Sequence, residues 1–433
     1  MALEQQGVPT VAVHTDRFER LVRTCARAGG MPTARQAFVP QPVVDRTTAE
    51  LRAYIEGEDP ITHRPFVHEL IEGLTRPLDA TDAGLTFDRS IGRLLEPRSD
   101  EELREQFRQN RWTDFLPIVL PTEERVERML TGTSQAPDRV VGRLAPTAYR
   151  EPWEFTVEKV AVNAVMAGAL PAHLPVILAA MATGITARQS STTSFATYLV
   201  VNGPIRHELA MNAGIGALGP YNHANTAIGR AYCLSSQNLQ GGSVPEESYM
   251  GSLGNPLAYS LCFPENEERS PWSPFHVERG YDADASVVTA VLGGWNIEAG
   301  TGVRETWRER FTRAMLACDP SLPPFVVLDP LAAQGFVRRG FGDKQSLREW
   351  LADATRGPAR EYWDNQMLQS VARAWGVAGV EPYASRLQAG PNELIRAFEP
   401  EQINIAVVGG ETQPLWRIIG GVQTATEAVD EWR

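Results

Sequence analysis

Cysteine is scarce in this 433-residue chain. Its four thiols, Cys25, Cys233, Cys262 and Cys318, are widely spaced and form no Cys-x-x-Cys pair. That argues against a disulfide framework and makes a reducing cytoplasm the expected setting. Basic charge is also short: 41 lysines and arginines face 53 aspartates and glutamates, giving a net charge of −12. Lysine in particular is scarce beside arginine. No Lys/Arg block offsets the acidic balance, which excludes a general nucleic-acid backbone binder. Long hydrophobic runs are missing too. The most apolar stretch, Val157 to Ala182, is interrupted by Asn163, Gly168, Pro171, His173 and Pro175, so it reads as buried or paired helices rather than a membrane span. The first twenty residues have no basic segment leading into an apolar core, so no signal peptide is expected. Internal repeats and low-complexity tracts are not evident.

What is present is enough apolar material, 43% of the residues, for two or three domains with a large core. The pattern predicts an α/β protein: a truncated small α/β domain over residues 1–56, a linking helical segment over 57–110, and a larger α/β domain with a mixed sheet over 111–433. In the small domain, residues 7–14 read as a strand and Asp16 to Ala28 as an amphipathic helix closed by Gly29-Gly30. A second strand over 36–40 and a second helix from Thr47 to Ile55, capped by Thr47 or Thr48, complete the unit. Met1 to Gln6 resembles the last turn of a helix whose preceding strand is absent. Farther on, helices are expected over 100–110, 123–131, 157–167, 174–183, 225–232 and 345–355, the last begun by Asp343. Strands are expected at 198–201, 324–328 and 403–408.

The stretch from Val200 to Arg279 carries the chemistry. Amides, guanidiniums, carboxylates and imidazoles crowd between short apolar runs, and such groups are costly to bury unpartnered. The segment therefore reads as the wall of one polar pocket. Asn202 and Arg206 follow a strand end, where α/β folds place ligand contacts; the arginine can clamp a carboxylate bidentately. Asn212, Asn222, His223, Asn225 and Arg230 surround a helix start, whose free N–H groups favour an anion. The group Glu265, Asn266, Glu267 and Glu268, with His276 and Glu278, suits acid–base work or a hard cation; the opposing reading is a charged loop paired with Arg269 and Arg279. No tight metal-ligand spacing is present, and the metal and any cofactor stay unassigned. Gly214 to Gly219 matches G-x-G-x-x-G in letters only, because Pro220 follows and no strand precedes; a tight covering loop is expected instead. Gly409-Gly410-Glu411-Thr412 reads as a backbone anion nest or an ordinary strand-ending turn. Cys233 and Cys262 read as buried small hydrophobes with catalysis as the lesser alternative.

Two portions resemble the bacterial UGSC-type (seleno)protein family, named after a Sec/Cys-Gly-Ser-Cys motif. Residues 7–18, Val39-Pro40-Gln41-Pro42-Val43 and the helix from Thr47 are similar to part of its small domain. The region from Glu158 to Gly410, with Asn202-Gly203-Pro204-Ile205-Arg206, Glu265 to Glu268 and His276 to Gly280, resembles the large domain found beside it. The resemblance implies redox or nucleophilic work at a low-pKa thiol or selenol. This chain departs from it: the motif itself is missing. Either the true start lies upstream of Met1, or a separate chain supplies the thiols, or they have been discarded.

The expected function is an enzyme acting on a small polar, anionic substrate, by redox or carbon–sulfur chemistry in a biosynthetic pathway. Glu267, His276 and His223 are the candidate catalytic residues; Asn202, Arg206, Asn212, Asn225, Arg230 and Glu265 are the candidate substrate-binding residues. The alternative is a non-catalytic subunit that presents substrate to a thiol- or selenol-bearing partner. Neither nucleic acid nor a membrane is an expected partner, and a homo-oligomer stays open.

Overall fold

The computed structural model describes residues 3, 8–28, 32–43, 46–76, 92–96, 98–144, 153–187, 194–240, 245, 249, 251–259, 261–302 and 305–433. The expected helical turn before Gly7, the Gly29-Gly30 stop, and residues 77–91 of the linking segment lie outside them.

The N-terminal unit is built on two parallel strands, β1 (Ala12–Thr15) and β2 (Gln36–Val39), in the register Ala12↔Gln36. Helix Glu19–Ala28 joins them, and helix Thr48–Glu56 follows. Thr47 is the N-cap, and its hydroxyl and the Glu50 carboxylate satisfy each other's backbone N–H groups. The core of the unit is small: Ala37, Val39 and Phe66, flanked by Val11, Tyr54 and Leu70. Phe66 opens a further helix, Phe66–Thr75, which packs on β2. Buried Asp59 ties the connecting turn to the sheet, accepting from the N–H groups of Phe38, Ile61 and Thr62.

A short antiparallel pair, β3 (Val140–Leu144) and β4 (Trp153–Thr156), precedes the main body. That body is a six-stranded mixed sheet of β5 (Ala196–Asn202), β6 (Cys262–Pro264), β7 (Val287–Thr301), β8 (Pro324–Leu328), β11 (Asn404–Val407) and β12 (Leu415–Ala428). Strands β9 (Arg356–Pro358) and β10 (Leu394–Arg396) form a separate ladder. The order across the main sheet is β11-β8-β12-β7-β5-β6, with β5/β6 and β8/β11 parallel and the other pairs antiparallel.

The sheet curls until its two edges meet, because Asn266, just past β6, donates its N–H to the Val407 carbonyl of β11 at 2.7 Å. Side chains alternate across a strand, and here the alternation separates one interior from two exteriors. Tyr198, Val200, Phe263, Val291, Phe325, Val327, Ala406 and Ile419, from all six strands, share the inner cluster. Leu199, Val201, Val288 and Ala290 face outward onto helices Val157–Met166, Leu174–Ala182 and His223–Gln240. Val326, Leu328, Ile405 and Ile418 face a second layer containing helices Trp307–Leu316, Pro330–Val337 and Lys344–Ala354.

The two longest strands, β7 and β12, were not anticipated from the sequence. Both carry paired glycines at the bulge where they meet, and glycine normally weakens a strand signal. A Cβ on Gly293, at φ 142°, would stand 2.7 Å from the Gly420 carbonyl oxygen, so the crossing of these backbones requires its absence.

Candidate functional site

Strand β5 ends at Asn202, buried completely, and the chain turns at Gly203 into the short helix Ile205–Glu208. Asn202 Nδ2 donates to Glu265 Oε2 at 2.7 Å and to Glu267 Oε1 at 2.9 Å. The Gly203 N–H also donates to Glu267 Oε1, at 2.9 Å. Arg206 lies over this corner. Its guanidinium donates to the carbonyls of Gly203 and Glu265, sits 2.9 Å from Glu267 Oε2 and 3.0 Å from Glu268 Oε1, and thereby fixes two carboxylates. Burial raises the Glu268 carboxyl, but hydrogen bonds from Arg206, its own backbone N–H and His207 outweigh that and hold it at about 2.

Glu265 is 0% exposed. Besides Asn202 it accepts from the backbone N–H of Phe275 at 2.6 Å and of Val407 at 3.3 Å, so its carboxylate also fastens the seam between the sheet's edges. Its counter-ion is Lys344, 1% exposed, whose Nζ stands 3.4 Å from Glu265 Oε1 and 3.1 Å from Glu278 Oε2. Sequence reasoning passed over this residue. The available signal was rarity: Lys344 is one of only two lysines in the chain, the other being Lys159. A compact ammonium can stand between two carboxylates where a planar guanidinium requires more room.

His276, 0% exposed, comes from the short helix Phe275–Glu278. Its Nε2 faces the Ala283 carbonyl at 3.4 Å, whereas Nδ1 has no hydrogen-bond partner and lies 3.9 Å from Glu267 Oε1. Asn202 Oδ1 is a second buried atom with no partner. Both residues adjoin the same Glu267 carboxylate. Asn202, Arg206, Glu265, Glu267 and His276 are therefore gathered into one cluster, whose members bond chiefly to one another.

The remaining expected residues lie elsewhere. Asn225 is buried and clasps the loop before its helix: Nδ2 donates to the carbonyls of Asn212 and Ala217, and Oδ1 accepts from the Asn212 N–H. Asn212 in turn braces Gly214 and Ile215. This is the glycine-rich loop over 214–219. It seats Ala217 in the inner cluster of the sheet, so it serves as a plug with no strand before it. Arg230 forms a bidentate pair with Asp114, both contacts 2.9 Å. His223 Nε2 is 3.1 Å from the Gly168 carbonyl oxygen, and its ring lies 5.5 Å from that of His173. The turn at Gly409 and Glu411 has an anion of its own, the Asp329 carboxylate, which accepts the Glu411 N–H at 3.1 Å.

Burial, with the neighbouring His223, holds His173 at about 4, below its ordinary 6.5. As pH falls the unfolded chain takes up that proton first, so this group costs no stability above about 6.5 and erodes it progressively down to about 4. Urea midpoints measured between pH 7.5 and 4 should decline in step, and His173→Gln should flatten the decline. Equal slopes in both proteins would refute this assignment.

Among the described residues no group of three or more His, Cys, Asp and Glu is arranged to hold a metal, and no helix is long and apolar enough to cross a membrane. Comparison with known proteins gives one positive finding. The model of the UGSC family matches residues 1–58. Residues 1–58 are thus similar to that family. The match covers β1, β2 and the two helices that accompany them, and it stops short of the curled sheet. No curated protein and no solved structure matches the chain. The matched segment holds a single cysteine, Cys25, whose thiol burial raises. Cys262 is raised by burial as well, with Cys233 beside it. Neither change favours a thiolate.

Proposed function

We propose that this protein is an enzyme acting on a small polar, anionic substrate by acid–base chemistry. His276 is the proton-transfer group, and Glu267 is the carboxylate beside its free nitrogen that stabilises the imidazolium once the proton is taken. One observation carries the reading: a completely buried imidazole leaves Nδ1 unpaired beside a carboxylate. A carbonyl can only accept, so the Ala283 oxygen assigns the ring proton to Nε2 and leaves the Nδ1 lone pair available as a base. An unmet buried acceptor costs about 1–3 kcal/mol, and Asn202 Oδ1 adds a second. Both unmet groups are acceptors, which suits a hydroxyl or a water as the group to be deprotonated. In this reading Arg206 holds Glu267 rather than substrate. The half-exposed Glu268, 52% accessible at its side chain, marks the side of entry.

A second reading is favoured by the cysteines. With the Cys25 and Cys262 thiols raised by burial, redox or carbon–sulfur chemistry would draw its thiol or selenol from a partner subunit, and this chain would bind and present the substrate.

The test is turnover. Purified protein is incubated with a mixture of small polar metabolites, and depletion is followed by mass spectrometry. Wild-type protein should consume at least one component, and His276→Asn and Glu267→Gln, verified as folded, should lose roughly 100-fold or more of that rate. Equal depletion by either variant contradicts the assignment. Depletion that appears only when a thiol-bearing partner is added favours the second reading.

A further inference from the structure

Arg279 follows the helix that carries His276 and lies half-buried over the Phe275 ring, 5.1 Å from its centroid. Its guanidinium donates from Nε to Thr426 Oγ1 at 3.1 Å, from Nη2 to Thr424 Oγ1 at 2.8 Å and from Nη1 to Asn404 Oδ1 at 3.5 Å. Every one of these partners is neutral. Among the described residues no carboxylate stands within ion-pair distance of it, whereas the opposing reading of the acidic loop had paired that loop with Arg269 and Arg279.

The neighbouring cations are all neutralised: Arg206 by Glu267 and Glu268, Lys344 by Glu265 and Glu278, and Arg348 by Glu278. A guanidinium drawn partly out of water without a counter-ion is unfavourable. Burial and the charge of Arg348 both weaken its hold on its proton, while Tyr281 acts in the opposite sense. Three of its five N–H donors are used, so two remain. Thr424 accepts from Arg279 and keeps its own hydroxyl proton to give. Thr289 and Thr426, directly opposite each other on β7 and β12, share a 2.8 Å hydrogen bond on the same face.

We propose that this corner of the sheet binds a small oxyanion, a carboxylate or a phosphate group, with Arg279 as the clamp and Thr424 as its second donor. The anion replaces the missing carboxylate partner. These side chains lie at the end of the sheet where β5 finishes and β7 begins: Asn202 and Ala428 both pair with Val287, and Thr426 pairs with Thr289 two residues along. The anionic group of the substrate therefore docks at Arg279, on the same short segment as His276. That last step rests on the acid–base reading, whereas anion binding itself does not.

The experiment is a thermal-shift titration with inorganic phosphate and, separately, acetate, at ionic strength held constant with sodium chloride. Wild-type protein should show a saturable rise in Tm with at least one of them. Phosphate alone assigns a phosphate ester, acetate alone a carboxylate, and a response to both the shared oxyanion chemistry. Arg279→Gln should bind at least tenfold more weakly and Thr424→Val a few-fold more weakly. No rise beyond the chloride control, or an unchanged affinity in Arg279→Gln, overturns the site. Should Arg279→Gln fail to fold, wild-type affinity in Thr424→Val overturns it instead. His276→Asn should keep wild-type anion affinity, so intact binding with lost turnover separates this claim from the proton-transfer assignment.

Discussion

Glu265→Ala is expected to lower the unfolding free energy by about 4 kcal/mol, because it removes one member of a fully buried ion pair and leaves the other behind. The substitution strands more than a charge. Lys344 keeps only Glu278; Asn202 loses its 2.7 Å acceptor; and the N–H groups of Phe275 and Val407 lose theirs. Glu265 itself follows the edge strand β6, and the Val407 N–H it holds belongs to the opposite edge strand β11, so the seam should open as the stability falls. Urea unfolding gives the loss directly. Amide hydrogen exchange at Val407 and Asn266 should accelerate more than at Val326, in the middle of β8. A loss below about 1 kcal/mol, on the scale of an exposed ion pair, would mean that the carboxylate is not the fastening described above.

The second large effect belongs to Gly203. Its φ of +84° is a region that side-chain-bearing residues reach only at a cost, and an added Cβ would stand 2.0 Å from the Ala285 carbonyl oxygen. Both terms act at once in Gly203→Ala, for about 3 kcal/mol or more. Gly168 supplies the control. It has nearly the same φ, +79°, with nothing within 4 Å of an added Cβ, so Gly168→Ala should cost only the backbone term, about 1–2 kcal/mol. Unfolding curves for the two variants should differ accordingly, and equal losses would contradict the contact with Ala285. Because the Gly203 N–H also holds Glu267, the same variant should impair turnover at temperatures where it remains folded.

How much of this was legible in the chain depends on how local the cause is. Thr47 and Glu50, three residues apart, cap their own helix, and Asp343 caps helix Lys344–Ala354 by accepting the Ser346 N–H at 2.7 Å; both starts could be read from spacing. The run Pro324–Leu328 could be read as a strand because it is buried on both faces. Strands β7 and β12 could not, since their glycines are explained only by the strand they cross. In the cluster, Asn202 stood out as a polar residue at a strand end, and Glu265 and Glu267 stood out as members of a dense acidic run. Asn225, Arg230 and His223 carried the same polar signature, yet their structural partners are carbonyls or carboxylates that no spacing announces: Arg230 meets Asp114 from 116 positions away, and His223 meets Gly168 from 55. Composition alone cannot separate a side chain that faces a ligand from one that ties two segments together.

The account stands on a single ring nitrogen. Nitrogen-15 spectra of protein labelled at histidine, with His276→Asn to assign the signals, report which nitrogen of the neutral ring bears the proton. The account predicts Nε2–H with Nδ1 showing an imine-type resonance. A neutral ring protonated at Nδ1, with its hydrogen directed at Glu267, would contradict it.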